Sequence, residues 1–199
     1  MSETEDVRSA WGRTAYWLTV NAPVSARALG GPATDEDIAG LREALGFDVP
    51  HVLEALLRMN NGSTAKDTSR VLPDGRVIPV RHLDSAIFPY GRILLGCAEI
   101  AREYAKWRRT EEENGLDGYW RVSWVPVVQD VEGQYYGYAV DACGASGFSV
   151  LEYGEGSVPR EVFPSLGTLL ASFAQALESG SWDGWPARVD KGSLSWGEE

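Results

Sequence analysis

The feature that constrains the fold most is a change of hydrophobic period along the chain. Residues 119–153 mostly alternate apolar and polar side chains with a period of two, and turns at residues 130–133 and 144–147 interrupt them. Strands joined by such short connections pair antiparallel. Elsewhere the apolar residues mostly recur at the three- to four-residue spacing of amphipathic helices. This segregation predicts an α+β domain, with helices against one face of a twisted antiparallel sheet.

Local signals place the other elements. Thr34 precedes three carboxylates and Gly46 follows the apolar stripe, which is typical of a capped helix. Asp74-Gly75 indicates a turn between two short strands within residues 71–78. Further helices are predicted by the same periodicity and capping signals over residues 6–18, from Pro50 to Asn60, over 97–113 and from Ser165 to Gly180.

The length of 199 residues favours a single domain. We expect it to occupy residues 1–180, with a core over 34–178 and the helix 6–18 packed on that core. Residues 181–199 form a tail that is too polar for an independent core. Because the tail contains Trp182, Trp185 and Trp196, we expect it to dock back on the domain.

The charge balance narrows the classes of partner. Twenty-nine Asp and Glu against 18 Lys and Arg give a net charge of −11, and residues 119–199 carry eleven acids against four bases. Such a field repels phosphate backbones and anionic membranes, so neither nucleic acid nor membrane is an expected partner. It attracts basic proteins and accelerates their association.

The expected cellular compartment follows from targeting signals that the sequence lacks. The amino terminus has no basic and apolar signal-peptide regions, and no run approaches the roughly 18 apolar residues of a membrane span. Only two cysteines occur, Cys97 and Cys143, in a chain too large to depend on a disulfide framework, which favours a reducing compartment. We therefore expect a cytoplasmic protein, and the predominance of Arg over Lys is typical of a GC-rich bacterial genome.

Catalytic and cofactor signatures are missing. No GxGxxG, Walker A, HExxH, CxxC or GxSxG pattern occurs, so we expect neither a cofactor nor an enzyme. His51 and His82 fall in different predicted elements, which disfavours a metal site. Cys143 would be a nucleophile only if a histidine folded beside it, and a small turn cysteine is the simpler interpretation.

A partner-binding surface is predicted on and beside the three strands, where acidic and aromatic residues occur together. Aromatic side chains commonly anchor protein interfaces. Two alternatives stay open for the acids, namely a solvated sheet edge and a catalytic carboxylate pair, and for the aromatics the alternative is the sheet core. The predicted contact residues are Trp120, Tyr135, Tyr136, Asp130, Glu132, Glu152 and Glu155.

Three blocks of sequence, in order, resemble the SUKH superfamily, which includes the fungal Smi/Knr cell-wall-assembly regulators. The first block runs from the acidic helix start at Thr34 through Val49-Pro50 to Asn60-Asn61-Gly62. The second comprises Trp120, Trp124-Val125-Pro126-Val127-Val128, Asp130, Gly133 and Asp141, and the third is the helix from Ser165-Leu166 to Leu177-Glu178. Val49, where the family prefers Leu, and one extra residue in 147–150 are departures from its pattern.

The resemblance implies an α+β fold with helices around a twisted antiparallel sheet. Bacterial members are commonly immunity proteins that neutralise toxins of polymorphic toxin systems, many of them nucleases, whereas fungal members act as regulatory scaffolds. The family supplies no catalytic motif. The leading hypothesis is therefore a cytoplasmic immunity protein that binds a basic toxin domain, and the alternative is a regulatory or scaffold module that binds a host protein or peptide. The oligomeric state is left open.

Overall fold

The computed structural model describes residues 2–63, 68–80, 83–114, 119–131, 133, 136–143, 148–155 and 157–197. The helices are α1 (Glu3–Asn21), α2 (Pro23–Arg27), α3 (Asp35–Leu45), α4 (His51–Leu57), α5 (Cys97–Asn114) and α6 (Leu166–Ser179). The strands are β1 (Thr68–Val71), β2 (Val77–Val80), β3 (Arg92–Leu94), β4 (Trp124–Asp130), β5 (Gly137–Asp141), β6 (Val150–Gly154), β7 (Ser157–Phe163), β8 (Ser181–Trp182), β9 (Trp185–Asp190) and β10 (Ser193–Trp196).

The main sheet is antiparallel, with the strand order β3-β4-β5-β6-β7. This confirms the predicted α+β class. The first predicted strand was placed too early, because the chain forms a turn before Trp124, whose backbone N–H donates to the Arg121 carbonyl at 2.9 Å. Strands β3 and β7 were not predicted. β3 has only three residues and so shows no period, and Pro159 lies within the edge strand β7.

Both faces of this sheet are covered. On one face Val125, Val140 and Val150 pack into the main core with the helices. On the other face a second cluster contains Ala139 and Leu151 from the strands and Trp107 from α5. The expectation of helices on one face only is therefore incomplete, because the end of α5 and the chain leading into β4 cover the opposite face.

Helix ends follow the sequence signals closely. The Thr34 hydroxyl accepts from the Asp37 N–H, and the Asp37 carboxylate accepts from the Thr34 N–H, which closes a capping box. The hydrogen bonds to Thr34 lower the pKa of the Asp37 carboxyl. The Ser165 hydroxyl caps α6 in the same way by accepting from the Thr168 N–H at 3.1 Å. Both capped helices were predicted, and the structure confirms them.

The segment after α4 joins three parts of the chain. The Asn61 side-chain oxygen accepts from the Cys97 N–H at 2.7 Å, which satisfies a donor at the first turn of α5. The Gly30 N–H donates to the Gly62 carbonyl at 2.6 Å, and the Ser63 N–H donates to the Leu94 carbonyl at 2.9 Å. These bonds hold the α2–α3 connection, β3 and the start of α5 together.

The last strands form a three-stranded sheet in the order β10-β9-β8. The Leu194 N–H donates to the Ser25 hydroxyl at 2.9 Å, and the Trp196 indole N–H donates to the Ile87 carbonyl at 2.8 Å. Trp182 and Leu194 are buried in the main core. The carboxy-terminal strands therefore pack against the same body as the helices. Across the described ranges, no helix combines the length and the apolar content that crossing a bilayer requires.

Candidate partner-binding surface

Trp120 does not lie on the surface. Its side chain is 0% exposed and its ring stacks on Trp107 with centroids 4.6 Å apart and planes inclined by 6°. The indole N–H donates to the Trp124 carbonyl at 3.2 Å. The prediction that Trp120 anchors a partner is wrong for this fold, because the ring is enclosed in the aromatic cluster behind the sheet.

Tyr136 and Glu152 come together in a surface pocket of about 470 Å³, at the edge of the sheet where β5 begins, β6 ends and β7 begins. Tyr136 is 40% exposed, and its ring lies beside Gly154 of β6, where an added Cβ would approach it to 3.1 Å. Glycine at this position therefore lets the aromatic ring lie close to the strand. Asp130 ends β4 nearby, and its backbone N–H donates to the Tyr136 carbonyl at 2.9 Å.

Glu152 is paired on two sides. One carboxylate oxygen accepts from Arg92 at 3.0 Å, and the other accepts from Arg160 at 3.3 Å. These two arginines come from β3 and β7, the edge strands that the sequence analysis missed. Glu152 is consequently not a free negative charge, and the pocket, which both arginines line, presents mixed charges.

Arg92 is the floor of this pocket. It is only 6% exposed, and its guanidinium carbon lies 4.7 Å from the centre of the Tyr138 ring and 5.2 Å from that of Tyr90. A desolvated guanidinium between aromatic rings gains cation–π attraction. Burial raises the pKa of the Tyr138 phenol, and the charge of Arg92 opposes part of this rise.

Two exposed aromatics that were not predicted as contact residues form a pair, and one of them, Tyr90, lies against Arg92. Tyr90 and Trp185 are 45% and 42% exposed, and their rings meet edge to face at 5.0 Å. No local pattern brings them together, because Tyr90 precedes β3 and Trp185 begins β9. Only the docking of the carboxy-terminal strands could have indicated this pair.

The remaining predicted contact residues are not collected in the pocket. Glu155 is exposed in the turn between β6 and β7. Glu132 and Tyr135 lie outside the described residues. Contact of a partner with Tyr136, Asp130, Glu152 and Glu155 stays a prediction.

The groups considered for catalysis are dispersed. The His51 ring packs edge to face on Phe148 at 4.8 Å, and its Nε2 lies 3.7 Å from a Glu3 oxygen. His82 lies outside the described residues. The part of the chain that the structure describes contains no cluster of three or more His, Cys, Asp or Glu suited to a metal ion. Cys143 sits in a turn, where its N–H donates to the Asp141 carboxylate at 3.0 Å.

The two thiols are expected to differ sharply in reactivity. Cys97 is buried at the start of α5, and burial raises the pKa of its thiol to about 11, whereas Cys143 is exposed. Because the thiolate is the nucleophile, native protein at pH 8 should react with iodoacetamide at Cys143 and leave Cys97 unmodified. Peptide mass spectrometry after alkylation measures this. Equal modification of both thiols without unfolding would contradict it, and denatured protein is the control in which both react.

A family model described as SMI1 / KNR4 family (SUKH-1) matches residues 32–172, which is more than half of the 199 residues. The match begins just before α3 and ends within α6, so it includes the main sheet and the pocket at its edge. A search of curated proteins finds no match.

Proposed function

Because the chain belongs to the SMI1/KNR4 family (SUKH-1), we propose that it is a non-enzymatic protein-binding domain that acts as a cytoplasmic immunity protein. It binds a toxin domain with a basic surface, of the kind that nucleases use to hold their substrate, and blocks access to the active site. The bound surface is the pocket where β5 begins, β6 ends and β7 begins, together with the aromatic residues around it.

The observation that carries this proposal is the group of exposed aromatics around a mixed-charge pocket. Tyr136 borders the pocket, and Tyr90, which pairs with Trp185, lies against its floor residue Arg92. Large aromatic side chains and arginines supply most of the binding energy at protein interfaces. A surface that brings them together supports protein recognition more directly than it supports catalysis.

The charge of the whole chain supports a basic partner. A net charge of −11 gives a long-range field that steers cationic proteins toward the surface and raises their association rate. The field acts over distances of about a Debye length, roughly 8–10 Å at physiological salt. It therefore affects encounter with the partner, while the aromatics and local ion pairs act after contact.

The direct test is affinity capture from a lysate of the source organism, followed by co-expression of each captured protein with and without this chain. We expect a basic protein whose expression alone arrests growth and whose toxicity this chain removes. Capture of regulatory or wall-synthesis proteins that are not toxic would instead favour the scaffold alternative and contradict the immunity proposal.

Once that partner has been identified, charge reversal at Glu155 tests whether the negative field accelerates association. Glu155→Lys should slow association about threefold at low ionic strength, because a rim charge mainly changes the association rate. Stopped-flow mixing or surface plasmon resonance at two salt concentrations measures it. Glu43→Lys on the exposed side of α3 is the matched control, since it changes the net charge equally, away from the predicted surface. Equal effects of the two variants would contradict a local role of this turn.

A further inference from the structure

Among the side chains that line the pocket, the charges do not balance. Arg92 and Arg160 both pair with Glu152, so two cations share one carboxylate. This local excess of positive charge occurs in a protein whose net charge is −11. The pocket is therefore unlike the surface on average, and its own charge favours an anion.

The buried arginine has unused hydrogen-bonding capacity. Only its Nη2 donates to Glu152, while Nε and Nη1 are enclosed and make no hydrogen bond to the residues that the structure describes. Buried polar groups are nearly always paired in native proteins, yet within the described part of the chain this guanidinium is hydrogen-bonded at only one of its three nitrogens. A guanidinium is a planar fork whose donors match the two oxygens of a carboxylate.

The backbone beside Arg92 is strained in a way that holds this arginine. Tyr90 adopts φ 64° and ψ 30°, a left-handed conformation that bulky residues rarely occupy. In that conformation its ring covers the Arg92 guanidinium and contacts Trp185. Strain of this kind persists at ligand clamps and active sites, where the surrounding structure maintains it.

We propose that the pocket is a recognition site for a carboxylate, presented by an acidic side chain or a chain terminus of the protein partner. The carboxylate accepts a hydrogen bond from Arg160 at the mouth and is attracted by the positive charge of the Arg92 guanidinium at the floor. With Glu152 it completes a neutral cluster of two cations and two anions. The inference rests on the proposed function only in assigning the carboxylate to a protein.

The pocket favours a monoanion with an attached carbon chain. One excess positive charge is neutralised by a carboxylate, whereas a phosphate dianion would add uncompensated charge close to Glu152. The ring of Tyr136 and the exposed side chain of Val158 line the same pocket and offer apolar surface to the methylene groups of an Asp or Glu side chain. Selectivity for carboxylate over phosphate is thus part of the proposal.

The test is an NMR titration of the arginine Nε–H signals of the whole chain with sodium acetate, against sodium chloride at equal ionic strength. We expect acetate to shift the Arg92 and Arg160 signals saturably, and chloride to leave them nearly unchanged. Inorganic phosphate is the second probe, and its binding should be several-fold weaker. Shifts that are the same in chloride, or phosphate binding tighter than acetate binding, would overturn the proposal.

Two variants test whether the acetate response arises at the pocket. Arg160 is exposed, so Arg160→Gln should fold normally and weaken acetate binding at Arg92 several-fold. Arg13→Gln removes an arginine whose ion pair with Glu178 is one to one, and it should leave the Arg92 titration unchanged. An Arg92 titration that is unaltered by Arg160→Gln would refute the two-arginine site. Acetate binding needs no protein partner. The capture experiment can therefore fail while this titration succeeds, and the titration can fail while the capture experiment succeeds, so the two failures are distinguishable.

Discussion

Replacing Trp120 by alanine is expected to lower the free energy of unfolding by about 3–5 kcal/mol, the usual cost of removing a buried tryptophan side chain. The ring stacks on Trp107 at 4.6 Å and meets Tyr153 edge to face at 5.2 Å. Its removal leaves a cavity between α5 and the sheet that the surrounding rings fill only in part. Urea denaturation followed by circular dichroism measures the change.

The matched control for Trp120 is a tryptophan in a different environment. Trp185 is partly exposed at the start of β9, so Trp185→Ala should change stability by about 1 kcal/mol or less. Trp185→Ala should instead weaken binding of the partner, because its ring belongs to the proposed surface. If Trp120→Ala were as mild in denaturation as Trp185→Ala, the burial of Trp120 would be in doubt.

The error about Trp120 shows what a period of two can and cannot predict. Alternation tells which residues share a face of a strand, but it does not tell whether that face is covered. Here the second face is covered by Trp107, which lies 13 positions earlier in the sequence and belongs to a helix. The turn before Trp124 was also missed, because Trp120 and Val122 continue the alternation without being in the strand.

The elements that were predicted well are those defined by short-range signals. The capping box of Thr34 and Asp37, the Gly46 end of α3 and the Ser165 cap of α6 all involve residues a few positions apart. Such interactions are present in the sequence as patterns. Strand β3 lacks any such pattern, since it has three residues and is defined only by pairing with β4.

The candidate site was predicted only in part, for the same reason. Tyr136 and Glu152 were singled out because acids and aromatics occur together along the strands. Their relation to Arg92 could not be deduced, because that residue lies 60 positions from Glu152 and reaches it across the sheet. Glu152, which was predicted as an acidic contact residue, is thus one member of a mixed-charge pocket.

Replacing Gly62 by alanine is expected to destabilise the protein by about 2–5 kcal/mol. Gly62 has φ +80°, where an alanine costs about 1–2 kcal/mol, and its added Cβ would lie 2.2 Å from the backbone nitrogen of Gly96. The three nearest atoms all belong to the backbone of Leu95 and Gly96, so none can move aside as a side chain would, and overpacking of this kind costs about 1–3 kcal/mol more. Thermal and urea unfolding measure the loss.

Gly46→Ala separates the two causes of that loss. Gly46 has nearly the same dihedral angle, φ +77°, but an added Cβ would meet nothing within 4 Å. Gly46→Ala should therefore lose only the conformational part, about 1–2 kcal/mol. Equal losses in the two variants would mean that the approach of Gly62 to Gly96 contributes nothing. A larger loss at Gly62 would give the Asn-Gly pair of the family pattern a physical reason, because Asn61 binds the start of α5 where Gly62 lets the two backbones meet.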